Sequence, residues 1–117
     1  MMETQSKPPC IRVDITPYGT LQVYAPESQQ DELLFLERNW TELWPPVRSK
    51  LEKRCTKLGV RKQLEHPDWV GTIQRLEPGV FMADKAELLL SLSIGDNSPE
   101  WDFFITGIRI VHFQPVW

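Results

Sequence analysis

Residues 28–58 read SQQDELLFLERNWTELWPPVRSKLEKRCTKL. Leu33, Leu36, Trp40, Leu43, Val47, Leu51, Cys55 and Leu58 recur at steps of three and four, one face of a 3.6-residue period. Pro45 and Pro46 fall in the middle of this stripe. Two prolines remove two backbone donors, and the first pushes Trp44 away from helical ψ. The sequence therefore predicts a helix over 28–43, a bend, and a second helix over 46–58, with Pro46 in its first turn, where a missing N–H costs little. Ser28 with Asp31 three residues on resembles a capping box at the start. Gly59 fits the position just past the end.

Outward from the helices the period changes to two, the mark of strands with one buried face. Ile11, Val13 and Ile15 alternate with polar residues, Pro17-Tyr18-Gly19 supplies a turn, and Leu21, Val23 and Ala25 alternate again, which predicts a hairpin. Residues 60–68 read as a polar loop ending in His66-Pro67-Asp68, residues 69–76 as a strand, and Glu77-Pro78-Gly79 as a turn. Asp84 with Glu87 could cap a helix, but Leu88, Leu90, Leu92 and Ile94 alternate up to Gly95-Asp96-Asn97, which favours a strand. Trp101, Phe103 and Ile105 alternate next, Gly107 permits reversal, and Ile108 to Phe113 form the returning strand. The order is ββααββββ. The expected fold is α+β: a mostly antiparallel sheet of five to six strands with a proline-kinked helix pair on one face. Residues 1–9 read as a flexible leader and residues 10–117 as one domain.

Composition narrows the function classes. The chain has 117 residues, 41% of them apolar, and a formal net charge of −3. That is a globular composition with enough length to bury a core. No apolar run approaches the roughly 20 residues a spanning helix needs, and the first nine residues have no apolar core of a secretion signal, so no membrane association is expected. Cys10 and Cys55 form no short spacing with each other or with His66 or His112, so no metal site is expected. Two reduced thiols point to a cytoplasmic setting. The six glycines are scattered, leaving no phosphate loop and no nucleotide cofactor. No nucleophile–base signature surrounds either histidine, so no catalytic residue is assigned. An enzyme of unrecognised type would need His66 or His112 beside carboxylates in a pocket.

Two surfaces stand out. Residues 48–62 carry Arg48, Lys50, Lys53, Arg54, Lys57, Arg61 and Lys62 against Glu52 alone. Lys50, Lys53, Arg54 and Lys57 share one helix face, so Lys50, Lys53, Arg54, Lys57, Arg61 and Lys62 form a candidate polyanion site. The acidic whole chain, with a pI near 5.4, and the lack of aromatics interleaved with these cations count against nucleic acid. The second surface lies in the last hairpin. In the simplest register Phe104, Val111 and Phe113 fall opposite Phe103, Ile105, Ile108 and Ile110, giving a ribbon that is apolar on both faces. A sheet covered on one side would leave the second face to another protein or a second copy of the chain. Phe104, Val111 and Phe113, with the turn acids Asp96, Glu100 and Asp102, are the candidate partner-binding residues.

The pattern Trp101-Asp102-Phe103-Phe104-Ile105 followed by Ile110-Val111-His112-Phe113-Gln114-Pro115-Val116, after the Leu/Ser alternation at 88–94, resembles the closing strands of small bacterial domains of unknown function, some of them similar to immunity proteins. The resemblance implies a cytoplasmic α+β protein that acts by binding, with a toxin as one expected partner, and transfers no catalytic residue.

Overall fold

The computed structural model describes residues 9–59, 61–65, 69–77, 86–94 and 100–116, with the side chains of Arg61, Gln63 and Ile94 outside that set. Strands β1 (Cys10–Asp14) and β2 (Thr20–Tyr24) precede helix α1 (Gln30–Leu58), and β3 (Trp69–Arg75), β4 (Leu88–Ile94), β5 (Glu100–Thr106) and β6 (Arg109–Val116) follow. The six strands form one sheet in sequence order. The leader up to residue 8, His66-Pro67-Asp68, Pro78-Gly79, Asp84 and the Gly95-Asp96-Asn97 turn lie outside the described residues.

The expected helix pair is one helix. Α1 runs unbroken for 29 residues with Pro45 and Pro46 inside it. The prolines lie off the buried stripe: Pro45 is exposed, as are Thr41 and Glu42, whose carbonyls would have accepted the two missing bonds. Water can serve those carbonyls, while Leu36, Leu43, Val47 and Leu51 stay fully buried on the other side. The stripe keeps its phase through the prolines, and its burial outweighs the two lost bonds. The capping box is also absent. A 3₁₀ turn at Glu27–Gln29 leads in, and the helix begins without a side-chain cap. Gln29 Oε1 instead accepts the backbone N–H of Arg75 at 2.7 Å. Gly59 ends the helix at φ 73°, a left-handed conformation that glycine adopts without steric cost.

The sheet is mixed, which corrects the mostly antiparallel expectation. Β2 pairs with β3 in parallel, and every other neighbouring pair is antiparallel. A helix of 29 residues spans about 44 Å, long enough to carry the chain back along the sheet. Β3 therefore starts at the end where β2 started. Residues 61–65, expected as loop, form a 3₁₀ helix on this return.

The core lies between α1 and one sheet face. Val13, Leu21, Val23, Ile73, Leu90, Leu92, Trp101, Phe103 and Ile105 meet the helix stripe there. Gly71 sits at the tightest approach: an added Cβ would come within 3.0 Å of Leu92 Cδ2. Both sheet edges are blunted. At β1, Pro9 and Ile15 bond towards β2 through Ala25 and Gly19, so the even-numbered residues between them turn their backbone groups outwards. Trp40 Nε1 caps the outward carbonyl of Asp14 at 2.6 Å, and Trp44 Nε1 caps that of Thr16 at 3.1 Å. Β6 carries Pro115, and its pairing with β5 shifts register at Phe104/Ile105. Proline and bulges are common means of keeping a free edge from recruiting another strand.

Candidate binding groove and the open sheet face

The register shift rearranges the last hairpin. Ile105 pairs with Ile110 and Phe104 with His112, which leaves Val111 as the extra residue. One extra residue flips side-chain parity beyond it. Phe113 is thereby turned to the helix side, opposite Phe103, with the two rings stacked at 4.6 Å. It stacks on Trp101 as well, at 6.0 Å. The ribbon with apolar residues on both faces is therefore not formed as expected. Phe104 does face away from the helix, but Leu76, Leu89 and Ala86 pack with it and leave it 5% exposed. Val111 is exposed at the bulge, as is Val116. The open face also carries the exposed Val70 beside Thr72, Gln74, Ser91, Ser93, His112 and Gln114, so it is mostly the polar surface an antiparallel-rich sheet shows to water.

Glu100 and Asp102 lie on that open face, two residues apart on β5. Asp102 is 7% exposed, and its Oδ1 has no hydrogen-bond donor. A hydrogen bond to Asp102, then burial, then repulsion by the Asp102 charge raise the Glu100 pKa above the usual glutamate value. Of the sequence-derived acids, Asp96 is outside the described residues. His112, whose Nε2 lies 3.1 Å from Gln114 Oε1, is exposed with its ring against Phe104. Among the described residues no three His, Cys, Asp or Glu side chains converge as metal ligands. Cys10 is exposed and Cys55 buried, and neither is in a disulfide.

The basic residues come together more closely than the acids. Lys50, Lys53, Arg54 and Lys57 line one side of a groove of about 210 Å³, and Phe113 from β6 closes it. The Arg54 guanidinium lies 5.4 Å from the Phe113 ring centroid, within cation–π range. No ion pair between these four cations and a carboxylate occurs among the described residues. Arg48, by contrast, pairs with Glu52 at 2.9 Å, and Tyr18 donates its hydroxyl to the same carboxylate. Glu52 thus pairs with Arg48 on the neighbouring helix flank rather than with the groove cations. Lys62 is exposed on the 3₁₀ helix and does not line the groove. Sequence spacing found the four cations. It missed Phe113 as their neighbour, because a bulge in the strand, with no glycine or proline to mark it, decides which way Phe113 faces.

No protein-family model, no curated protein and no solved structure matches this chain. No helix among the described residues is long and apolar enough to cross a membrane.

Proposed function

We propose that this domain is a non-catalytic protein-binding module that holds an acidic segment of another protein in the groove between the basic flank of α1 and β6. The carrying observation is the set of four cations, Lys50, Lys53, Arg54 and Lys57, that line one groove with Phe113 and make no ion pair among the described residues. Carboxylates of a partner would supply the missing charge, and complementary potentials speed encounter and fix orientation. Phe113 gives the groove one apolar wall.

The aromatic favours protein over nucleic acid. A base needs an open ring face to stack on. Phe103 and Trp101 stack against Phe113 from the core side, and Arg54 lies over it from the helix. An immunity-type inhibitor, with a toxin as the partner, is one form of this reading and agrees with the resemblance of the last strands. A cytoplasmic location agrees with two thiols outside any disulfide.

The test is fluorescence anisotropy with two probes: a labelled peptide of alternating Glu and Leu, and a labelled oligothymidylate of similar charge. The peptide is expected to bind with an affinity that falls as salt rises, and the double variant Lys53→Glu/Lys57→Glu to lose at least about tenfold. Tighter binding of the oligothymidylate, or peptide binding unchanged in the variant, overturns the proposal.

A further inference from the structure

Two arginines of α1 stand over aromatic rings, and only one of them has a carboxylate. Arg48 lies over the Tyr18 ring, 6.0 Å from its centroid, and its Nε donates to Glu52 Oε2 at 2.9 Å. Arg54 lies over the Phe113 ring, 5.4 Å from its centroid, and its guanidinium has no acceptor among the described residues. Attraction to a ring face uses the charge of the guanidinium and no acceptor oxygen, so its N–H groups stay free for an anion. Arg75 shows what such groups do with a carboxylate in this domain. Its Nε and Nη2 both donate to Glu32, at 2.9 to 3.1 Å. The ring under Arg54 is itself fixed from behind. Phe113 stacks on Phe103 at 4.6 Å and on Trp101 at 6.0 Å, and neither of those two has exposed surface. Arg54 is accordingly half-buried, whereas Lys50, Lys53 and Lys57 are exposed.

On the reading that the groove holds an acidic protein segment, we infer that Arg54 is the residue that grips a partner carboxylate, and that Phe113 is its positioning residue. A guanidinium presents a rigid planar fork that matches a carboxylate with paired N–H donors. The three lysines act beside it as flexible point charges, which attract an acidic segment without fixing its orientation. An arginine already seated on a ring gives up less freedom on binding than one that samples solvent. The partner carboxylate thus takes the place at Arg54 that Glu52 takes at Arg48. Helix spacing makes the four cations equal, and the seat that singles out Arg54 comes from the bulge at Val111, which turns Phe113 to the helix side.

The test is anisotropy of the labelled Glu/Leu peptide with single variants of the full chain, each checked for folding by its thermal melt, together with proton–nitrogen NMR of the Arg54 Nε–H. Arg54→Lys keeps the charge and is expected to weaken binding about fivefold, because the fork is lost. Phe113→Leu keeps an apolar wall and should weaken binding about threefold, whereas Phe113→Tyr keeps the ring face and should bind as the parent does. Lys62→Gln removes a charge outside the groove and should change binding by less than about twofold. The Arg54 Nε–H signal should be displaced by the Phe113 ring in the parent, lose that displacement in Phe113→Leu, and move when peptide is added to the parent. Arg54→Lys carries the test if Phe113→Leu fails to fold. Parental affinity in Arg54→Lys or in a folded Phe113→Leu, or an Arg54 signal that bound peptide leaves unmoved, overturns the inference and leaves the groove reading standing. Absence of peptide binding by the parent overturns both.

Discussion

Phe103 and Phe104 are neighbours on β5, both buried, and buried by different means. Phe103 lies in the main core, against Phe113 and the face that α1 covers. Phe104 lies on the open face, in a small cluster with Leu76, Leu89 and Ala86. The inner face draws its burial from a 29-residue helix that brings an apolar stripe from far away in sequence. Among the described residues, the outer face draws its burial from Leu89 of the adjacent strand and from Leu76 and Ala86, which flank β3 and β4. The first is a continuous core, so damage spreads. The second is a satellite, whose loss leaves the helix stripe in place.

The largest effect that could break this comparison is truncation at the two sites. Phe103→Ala is expected to cost about 4 kcal/mol, the range for emptying a core aromatic site. Phe104→Ala should cost about 3 kcal/mol, the low end of that range, since fewer neighbours lose contact. Val70→Ala, on the open face and 42% exposed, should fall within about 0.5 kcal/mol of the parent. Urea denaturation curves measure all three. Equal costs for the two phenylalanines would mean that the open face is covered as deeply as the helix side.

The prolines of α1 sharpen the inner half of the comparison. Pro45→Ala would restore an N–H facing the carbonyl of Thr41 in an unbroken helix. It is expected to stabilise the domain by roughly 1–2 kcal/mol, less than the full interior-proline penalty because the unfolded chain also gains freedom. In a broken helix pair the same change would be neutral or destabilising. A Pro45→Ala variant no more stable than the parent would therefore count against one continuous helix.

The helix and the sheet were not equally legible in the sequence. Leu33 to Leu58 announced their stripe by spacing alone, because helical period survives any local disturbance that keeps the phase. The prolines point to a break because local preference carries no information on burial, and Thr41 and Glu42 face solvent, where lost bonds are cheap. The parallel pairing of β2 with β3 follows from where a long helix returns the chain, a distance no pattern within β3 encodes. Among the site residues, Lys50, Lys53, Arg54 and Lys57 were legible because they share a helix face. Phe113 was not. Ile110 and Phe113 are three apart and both pack on the core, which only a bulge at Val111 allows, and period two assigns them to opposite faces.

Trp40→Phe probes the edge of the covered face with a smaller effect. It keeps the ring in the core and deletes the donor that caps the Asp14 carbonyl. The expected cost is about 1 kcal/mol, the net worth of one such bond. Analytical ultracentrifugation of the same variant checks the protective role: an uncapped β1 edge should self-associate at concentrations where the parent does not. A fully monomeric variant with unchanged stability would remove Trp40 from the edge's defences.

The smallest expected effect belongs to the open face and runs with pH. Glu100 holds its proton above the ordinary glutamate value near 4.5, first through its hydrogen bond to Asp102. A carboxyl whose pKa is higher folded than unfolded binds more protons in the native state, so stability falls as pH rises through that interval. Its contribution is fully present below about pH 4.5 and is lost once the folded-state group has ionised. The stability of the parent relative to Glu100→Gln should therefore decline from acid towards neutral pH. Asp102 and His112, the other titratable groups on this patch, are common to both proteins. Because Glu100 is largely solvent-exposed, screening keeps the change small, and paired denaturation curves at several pH values are needed to see it. A difference that grows with pH would mean that Glu100 is stabilised in its charged form, and the carboxyl pair would then need a positive neighbour of the protein's own making.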